Sequence, residues 1–179
     1  MAISTYPKWL YDDLRTDHAG ETGAVWIYRG ILAVSHDSAV CAFAKRHLET
    51  ETRHLREIEG VLEPARRSRL LPVWRFAGFI AGALPALIGP QSVFHTIEAV
   101  ETFVDRHYEA QIQRLGPIEA LDKDLAEVRA LLVDCQADEV VHLHEAGSLA
   151  FEAPGPVARI WRAMVARGSY IAVECARYI

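Results

Sequence analysis

Two short stretches carry a carboxylate and an imidazole three positions apart: Glu51-Thr52-Arg53-His54 and Glu139-Val140-Val141-His142. On a helix, positions i and i+3 share a face, so each pair aims both side chains at one place. One such pair is weak evidence, because Glu and His are common. Here each pair follows a segment with a Glu inside an apolar stripe, Glu21 before the first and Glu101 before the second. One Glu from each of two helices, plus Glu-x-x-His from each of two others, is the ligand set of a two-metal carboxylate bundle. Four carboxylates in a core cannot stay ionised without counter-charge. An isolated buried one would cost more than the ~5–15 kcal/mol that holds a domain together. The four stripes contain no Lys or Arg, whereas two divalent metals balance four carboxylates formally. Imidazole plus carboxylate suits iron or manganese better than calcium or magnesium, and structural zinc more often shows thiolates. The expected grouping is Glu21, Glu51 and His54 around one metal and Glu101, Glu139 and His142 around the other, with carboxylates bridging.

A second layer should orient the imidazoles. Asp138 directly precedes Glu139 and is placed to accept a hydrogen bond from His54. The matching position before Glu51 is Thr50, so the two halves need not be equivalent. Glu98 lies three residues before Glu101, and spacing leaves it open as the third-helix ligand instead. His47, His107 and His144 read as surface or satisfied core histidines, and Cys135 as a small core residue. Tyr28 and Tyr108 fit the core, and each also lies seven residues beyond a proposed ligand on the same stripe.

The elements that must position these residues are helices. Leu10, Leu14, Glu21, Val25, Tyr28 and Leu32 recur at three-, four- or seven-residue steps, which predicts a helix over residues 5 to about 35. Pro7 suits its first turn. Gly20 and Gly23 should each cost about 1 kcal/mol relative to Ala, which the close approach of a neighbouring helix would justify. His36-Asp37-Ser38 is a break with a good N-cap. A second helix over about 38–62 places Val40, Phe43, His47, Glu51, His54, Ile58 and Val61 on one face and Lys45, Arg46, Glu49, Arg53 and Arg56 on the other. A third, over about 91–115, carries Phe94, Ile97, Glu101, Val104, Tyr108, Ile112 and Leu115. Gly116-Pro117 stops and restarts the chain. A fourth helix is predicted over about 117–146, with Gly147 as its stop and the stripe Leu121, Leu125, Val128, Leu132, Cys135, Glu139, His142, Ala146. Beyond Pro154-Gly155-Pro156, a last helix over 157–179 has Ile160, Met164, Ile171 and Cys175 along one side. No strand pattern appears. The expected architecture is all-α, a single domain over residues 1–179 built as two helix pairs, each reading Glu … Glu-x-x-His.

Between the pairs, a basic break with Arg66, Arg67 and Arg69 leads into an apolar run from Leu70 to Gly89, with no charge between Arg75 and Glu98. The uncharged part of this run, from Phe76 to Gly89, is shorter than the roughly 20 apolar residues a spanning helix needs, and Pro85 and its glycines weaken spanning further. Beside the Arg cluster it reads as an interfacial anchor on anionic lipid, with an oligomer interface as the alternative. The chain has 179 residues, 51% hydrophobic and 24% charged, so it can bury a core; its net charge of -5 excludes general nucleic-acid binding. Cys41, Cys135 and Cys175 form no CxxC, which fits a reducing compartment and gives no disulfide framework. Met1-Ala2-Ile3-Ser4-Thr5 shows neither a signal-peptide nor an Arg-rich presequence pattern, as expected of a bacterial cytoplasmic or mature organellar protein. No Gly-rich dinucleotide fingerprint appears, so any reductant would come from outside, be the substrate itself, or bind without that motif.

Several of these residues together resemble one family. They are Asp17-His18-Ala19-Gly20-Glu21-Thr22-Gly23-Ala24 with Ile27-Tyr28, then Glu51-x-x-His54, then the apolar run from Pro72-Val73-Trp74 to Gly89. Ala99-Val100-Glu101 follows, with His107-Tyr108 and Gln111-Ile112, and finally Asp138-Glu139-x-x-His142. Over nearly the whole chain the pattern resembles the demethoxyubiquinone hydroxylases of coenzyme Q biosynthesis. Thr22 departs from it without touching a ligand. The resemblance implies a ferritin-like four-helix bundle and a non-haem di-iron centre, with Glu101 rather than Glu98 as ligand. It also implies O2-dependent ring hydroxylation of a demethoxyubiquinol, with His107 and Tyr108 as candidate catalytic residues and an external reductant. The implied partners are a polyprenyl quinol and a membrane surface, with a lipid-binding protein, as in eukaryotic members, and a second copy of the chain as further candidates. The implied location is peripheral, on the cytoplasmic face of a bacterial inner membrane or on the mitochondrial inner membrane. The apolar run argues against iron or peroxide handling as in ferritins and rubrerythrins, and the six core-facing ligands argue against a purely lipid-binding helical protein. A quinone hydroxylase with another ring-position preference stays open.

Overall fold

The computed structural model describes residues 6–179, and its secondary structure consists of helices and short 3-10 turns. The helices are α1 (Lys8–Val34), α2 (Ser38–Val61), α3 (Leu71–Ile88), α4 (Pro90–Leu115), α5 (Lys123–Leu149) and α6 (Pro156–Tyr178). The predicted start of the first helix at Thr5 falls outside the described residues. Asp37 caps α2 as expected: its Oδ1 accepts from the amides of Ala39 and Val40, both at 2.9 Å.

The fourth bundle helix differs from its predicted bounds at both ends. Pro117 is extended, a 3-10 turn covers Ile118–Ala120, and α5 starts only after Asp122, whose Oδ1 accepts from the Leu125 amide at 2.9 Å. Leu121 therefore lies before the helix, although it still packs on the core. At the other end Gly147 stays helical and α5 runs on to Leu149; only Gly89 and Gly116 have positive φ among the described residues. A glycine stops a helix when it turns left-handed, and Gly147 does not.

α1, α2, α4 and α5 form the bundle. Arg53 pairs with Asp138 and Arg46 with Glu145, so α2 and α5 run antiparallel. Tyr28 meets Glu101 and Tyr108 meets Glu21, so α1 and α4 also run antiparallel. Two apolar clusters fill the bundle. One contains Leu10, Leu14, Ile58, Leu62, Ile112, Leu115, Val128 and Leu132, and the other Ile27, Ile31, Val40, Phe43, Phe94, Ile97 and Ala146. On each helix the proposed ligands fall between the residues of these two clusters.

The long crossover from α2 to α4 is α3, packed along the outside of α1. A Cβ on Gly78 would stand 2.3 Å from the Gly23 carbonyl oxygen, one on Gly82 1.9 Å from that of Ile27, and one on Gly30 2.2 Å from that of Phe79. The numbering rises together on both helices, so α1 and α3 run parallel in backbone contact. The Gly23 carbonyl touches α3, but a Cβ on Gly23 would meet nothing within 4 Å, so the contact does not require the glycine expected there. A Cβ on Gly20 would likewise meet nothing, and both glycines border a cavity. The outer face of α3 is apolar and exposed, with Val73, Phe76, Leu84, Leu87 and Ile88. Among the described residues, α3 is the one helix long and apolar enough to cross a membrane by length and composition, with 18 residues and a mean hydropathy of 1.6. That is longer than the charge-free stretch after Arg75 read from sequence, because the helix takes in Arg75 and accommodates Pro85. Its length is roughly 27 Å, against about 30 Å of hydrocarbon core.

α6 returns to the bundle through Trp161, whose Nε1 donates to Thr96 Oγ1 at 2.8 Å, through Arg162 on Glu98 at 2.9 Å, and through Arg177 on Asp13. The side that carries Ile160, Met164 and Ile171 faces outward.

Candidate metal centre

Each of the four bundle helices brings its acid to the same level, and α2 and α5 bring an imidazole one turn on. The side chains of Glu21, Glu51, His54, Glu101, Glu139 and His142 are all buried. They fall into two groups whose ligand-type atoms lie within 4.8 Å of one another: Glu21, Glu51, His54 and Glu139, and Glu51, Glu101, Glu139 and His142. Each group contains the three residues expected around one metal plus the Glu of the other half's Glu-x-x-His. Glu51 and Glu139 are common to both.

Nδ1 of His54 lies 3.1 Å from Glu139 Oε1 and 3.7 Å from Glu21 Oε2. Nδ1 of His142 lies 3.0 Å from Glu51 Oε1 and 3.3 Å from Glu139 Oε2. These atoms are close, yet Glu21 Oε2, Glu51 Oε1, both Glu139 oxygens and both Nδ1 atoms have no aligned hydrogen-bond partner. Buried polar atoms without partners are costly and rare. A shared space lined by such carboxylate and imidazole atoms fits a pair of divalent cations.

Charge in this space is badly matched without a cation. Burial, reinforced by Glu139, pushes Glu21 up to about 7. Burial and neighbouring carboxylates also hold Glu51 and Glu101 well above the carboxylate range. Burial opposes ionisation of Glu139 too, but its contacts with His142 and His54 outweigh it and bring it down to about 2. Burial likewise disfavours a charged His54, yet Glu139 and Glu21 raise it to about 9. The cluster therefore retains protons at neutral pH, and bound cations would displace them.

Around these six, the surroundings are unequal. His54 Nε2 lies 3.1 Å from Asp138 Oδ2, as expected of Asp138, and Arg53 pairs with the same oxygen. His142 instead meets His47, edge to face with ring centroids 4.0 Å apart. His47 is buried, with Nε2 2.9 Å from Glu145 Oε2; burial, and the His142 charge after it, lower it to about 4. His47 thus sits against the cluster, outside both ligand groups. Its place on the Glu51 stripe was the available signal. His144 is exposed. Glu98 turns away to His95 and Arg162, leaving the cluster to Glu101. Tyr28 Oη donates to Glu101 Oε1 at 3.1 Å, and Tyr108 Oη donates to Glu21 Oε1. Each tyrosine serves the acid on the opposite helix, not the one on its own stripe. Cys135 is fully buried, and burial raises its thiol.

A cavity of about 350 Å³ opens between α3 and α6 and reaches Glu21, Glu51, Glu101 and Glu139. Its outer walls are apolar, including Ala77, Ala81, Val165 and Ile171. On its wall, His107 Nε2 lies 3.2 Å from Asp17 Oδ1, 3.0 Å from Thr16 Oγ1 and 2.8 Å from Gln111 Nε2. Phe103 stacks on the His107 ring, with centroids 5.9 Å apart. Burial holds the Asp17 carboxyl above its ordinary range despite His107. His107 and Tyr108 both border the cavity but lie outside the two ligand groups. Asp17 and Gln111 were missed as functional candidates. Their signal was register, since Asp17 lies one turn before Glu21 and Gln111 one turn after His107.

The family model described as "Ubiquinone biosynthesis protein COQ7" matches residues 8–176. An NADPH-dependent 3-demethoxyubiquinone 3-hydroxylase from Dictyostelium discoideum is 33% identical over 133 residues, 73% of this chain and 60% of that protein. A 3-demethoxyubiquinol 3-hydroxylase from Rhodospirillum rubrum is 41% identical over 106 residues, 58% of this chain and 50% of that protein. The human NADPH-dependent 3-demethoxyubiquinone 3-hydroxylase is 28% identical over 162 residues, 89% of this chain and 73% of that protein. The matched region thus covers 50% to 60% of the length of the first two relatives. With the family model matching nearly from end to end, this chain belongs to the COQ7 family of ubiquinone biosynthesis proteins.

Proposed function

We propose that this protein is a non-haem di-iron monooxygenase that hydroxylates the ring of a demethoxyubiquinol with O2. The observation that carries the reading is the cavity, which runs from apolar walls between α3 and α6 to four buried carboxylates. A polyprenyl quinol has the matching shape: a polar ring for the inner end and an apolar tail for the outer one. Ferritin-like iron or peroxide handling gives such a passage no purpose.

Glu21, Glu51, His54, Glu101, Glu139 and His142 would hold two iron ions, Glu51 and Glu139 being common to both ligand groups. When bound, such a pair supplies the two-electron reduction of O2 and the oxidising equivalent for ring hydroxylation. The chain's own residues do the rest. The apolar walls exclude water and align the ring. His107, steadied by Asp17 and Gln111 and stacked on Phe103, receives the proton of a ring hydroxyl. Tyr108 fixes the orientation of the Glu21 carboxylate. The exposed apolar faces of α3 and α6 lie on a membrane surface, so the tail need not leave lipid. Electrons come from an external reductant, in keeping with the NADPH in the name of the Dictyostelium relative.

The test is turnover of a demethoxyubiquinol analogue by iron-loaded protein with O2 and a reductant. Wild type should form the hydroxylated ring, and Glu139→Ala should be slower by roughly a thousandfold. Equal rates for the two proteins, or a wild type that binds no iron, would contradict the proposal.

A further inference from the structure

On the other flank of α3 from the quinol cavity lies a second hollow, of about 320 Å³, between α1, α2 and the first turn of α3. We propose that it binds a phosphate ester, and that its occupant is the headgroup of an anionic phospholipid. Its walls carry Arg29, Arg67 and Arg75 but one carboxylate, Glu59. Three positive charges against one negative leave an excess of two, in a chain whose net charge is -5.

Glu59 is already engaged. Arg67 Nη1 donates to its Oε1 at 2.7 Å, and His18 Nε2 lies 3.3 Å from the same oxygen. What is left over points to an acceptor. Arg67 Nε is a buried donor without a hydrogen-bond partner. Arg29 lies over the Trp26 ring at 5.0 Å, and neither it nor Arg75 makes an ion pair among the described residues. Guanidinium groups suit phosphate in particular, because their planar forks match its oxygens. α3 begins at Leu71, on the rim, with no side-chain cap, and so adds the positive end of its dipole.

The lipid assignment comes from the neighbours of Arg75 on α3. It is flanked by Val73 and Phe76, which are exposed and apolar. A phosphate in the hollow would sit at headgroup depth when that face rests on acyl chains. It would fix the rotation of the protein about α3 and hold the quinol cavity against the bilayer. The lipid part rests on the reading of α3 as a membrane-facing helix; the phosphate site does not.

The experiment is vesicle flotation of the full chain, using phosphatidylcholine alone or mixed with phosphatidylglycerol. Wild type is compared with Arg29→Gln/Arg75→Gln and with a charge-matched control, Lys45→Gln/Arg106→Gln, at exposed positions away from the hollow. Calorimetry with glycerol phosphate provides a soluble arm. Wild type should prefer the anionic vesicles, the Arg29/Arg75 variant should lose about tenfold in that preference, and the control should lose less than about twofold. Binding to phosphatidylcholine should survive in all three. Glycerol phosphate binding that the Arg29/Arg75 variant loses, without any vesicle preference, would keep the phosphate site and overturn the lipid occupant. Equal losses in variant and control, or no binding of either probe by wild type, would overturn the site. A wild type that binds no vesicles but binds glycerol phosphate would refute the membrane reading of α3 alone.

Discussion

The two Glu-x-x-His halves present the same ligand types and the same local geometry, but their surroundings differ. His54 is held from behind by an ionised Asp138, which Arg53 anchors. His142 is packed edge to face on a neutral His47 instead. Carboxylate support raises the basicity of an imidazole and fixes its tautomer, whereas a ring contact only holds it in place. The halves are thus alike in what they offer a metal and unlike in how firmly they offer it. Only the shared residues, Glu51 and Glu139, belong equally to both.

The largest expected effect arises from that sharing. Glu51→Ala or Glu139→Ala removes a ligand from both groups, so anaerobic loading should fall from about two irons per chain to nearly none. Glu21→Ala and Glu101→Ala each touch one group and should retain about one iron, with the hydroxylation lost. Metal analysis after desalting separates these outcomes. If Glu21→Ala and Glu139→Ala behave alike, the sharing is wrong.

Next in size is the difference between the halves. Asp138→Asn should weaken iron binding by about 10–100-fold, and His47→Phe by no more than about threefold. Equal losses in a competitive chelator titration would remove the asymmetry.

The metal-free protein should also respond to pH. Glu21 has its folded value raised from 4.5 to about 7, and Glu51 and Glu101 shift the same way. The folded state therefore holds protons that the unfolded chain releases, and stability falls as pH rises through that window. His54, raised from 6.5 to about 9, adds stability that is complete below 6.5 and lost as pH climbs towards 9. Glu139, depressed to about 2, acts oppositely and only below pH 4.5. Urea unfolding of metal-free protein should thus show a loss on the order of 3 kcal/mol between pH 5 and 8. A metal-free chain that gains stability over this range would contradict the proton-retaining cluster.

The smallest effect concerns the crossed tyrosines. Tyr108 borders the cavity between α3 and α6 and Tyr28 does not. Tyr108→Phe should lower kcat about tenfold and Tyr28→Phe about twofold, each losing one hydrogen bond to a carboxylate. Steady-state rates on iron-loaded proteins would show it.

Much of this site was legible in the sequence, because helical period alone places Glu21, Glu51, His54, Glu101, Glu139 and His142 on core stripes. Asp138 was legible too, since adjacency to Glu139 turns it towards the facing helix. What spacing could not supply was partnership between helices. Nothing in the period tells which tyrosine serves which acid, and the answer crosses over. His47 was on the right stripe, but only the packing of α2 against α5 brings it to His142. The Asp17–His107–Gln111 group likewise depends on how α1 and α4 face each other. Errors in the elements have local causes. Asp122 outcompetes Pro117 as the start of α5, and Gly147 keeps helical angles. Gly20 and Gly23 border the cavity while Gly30, Gly78 and Gly82 serve the helix contact, a division that requires knowing where α3 lies.

The most direct measurement is Mössbauer spectroscopy of the full chain, loaded anaerobically with ⁵⁷Fe and then exposed to O2. Two irons per chain, antiferromagnetically coupled after oxidation in wild type and uncoupled or missing in Glu139→Ala, is the predicted result. A single isolated ferric site in wild type, or coupling that survives Glu139→Ala, would contradict a centre in which Glu139 belongs to both metals.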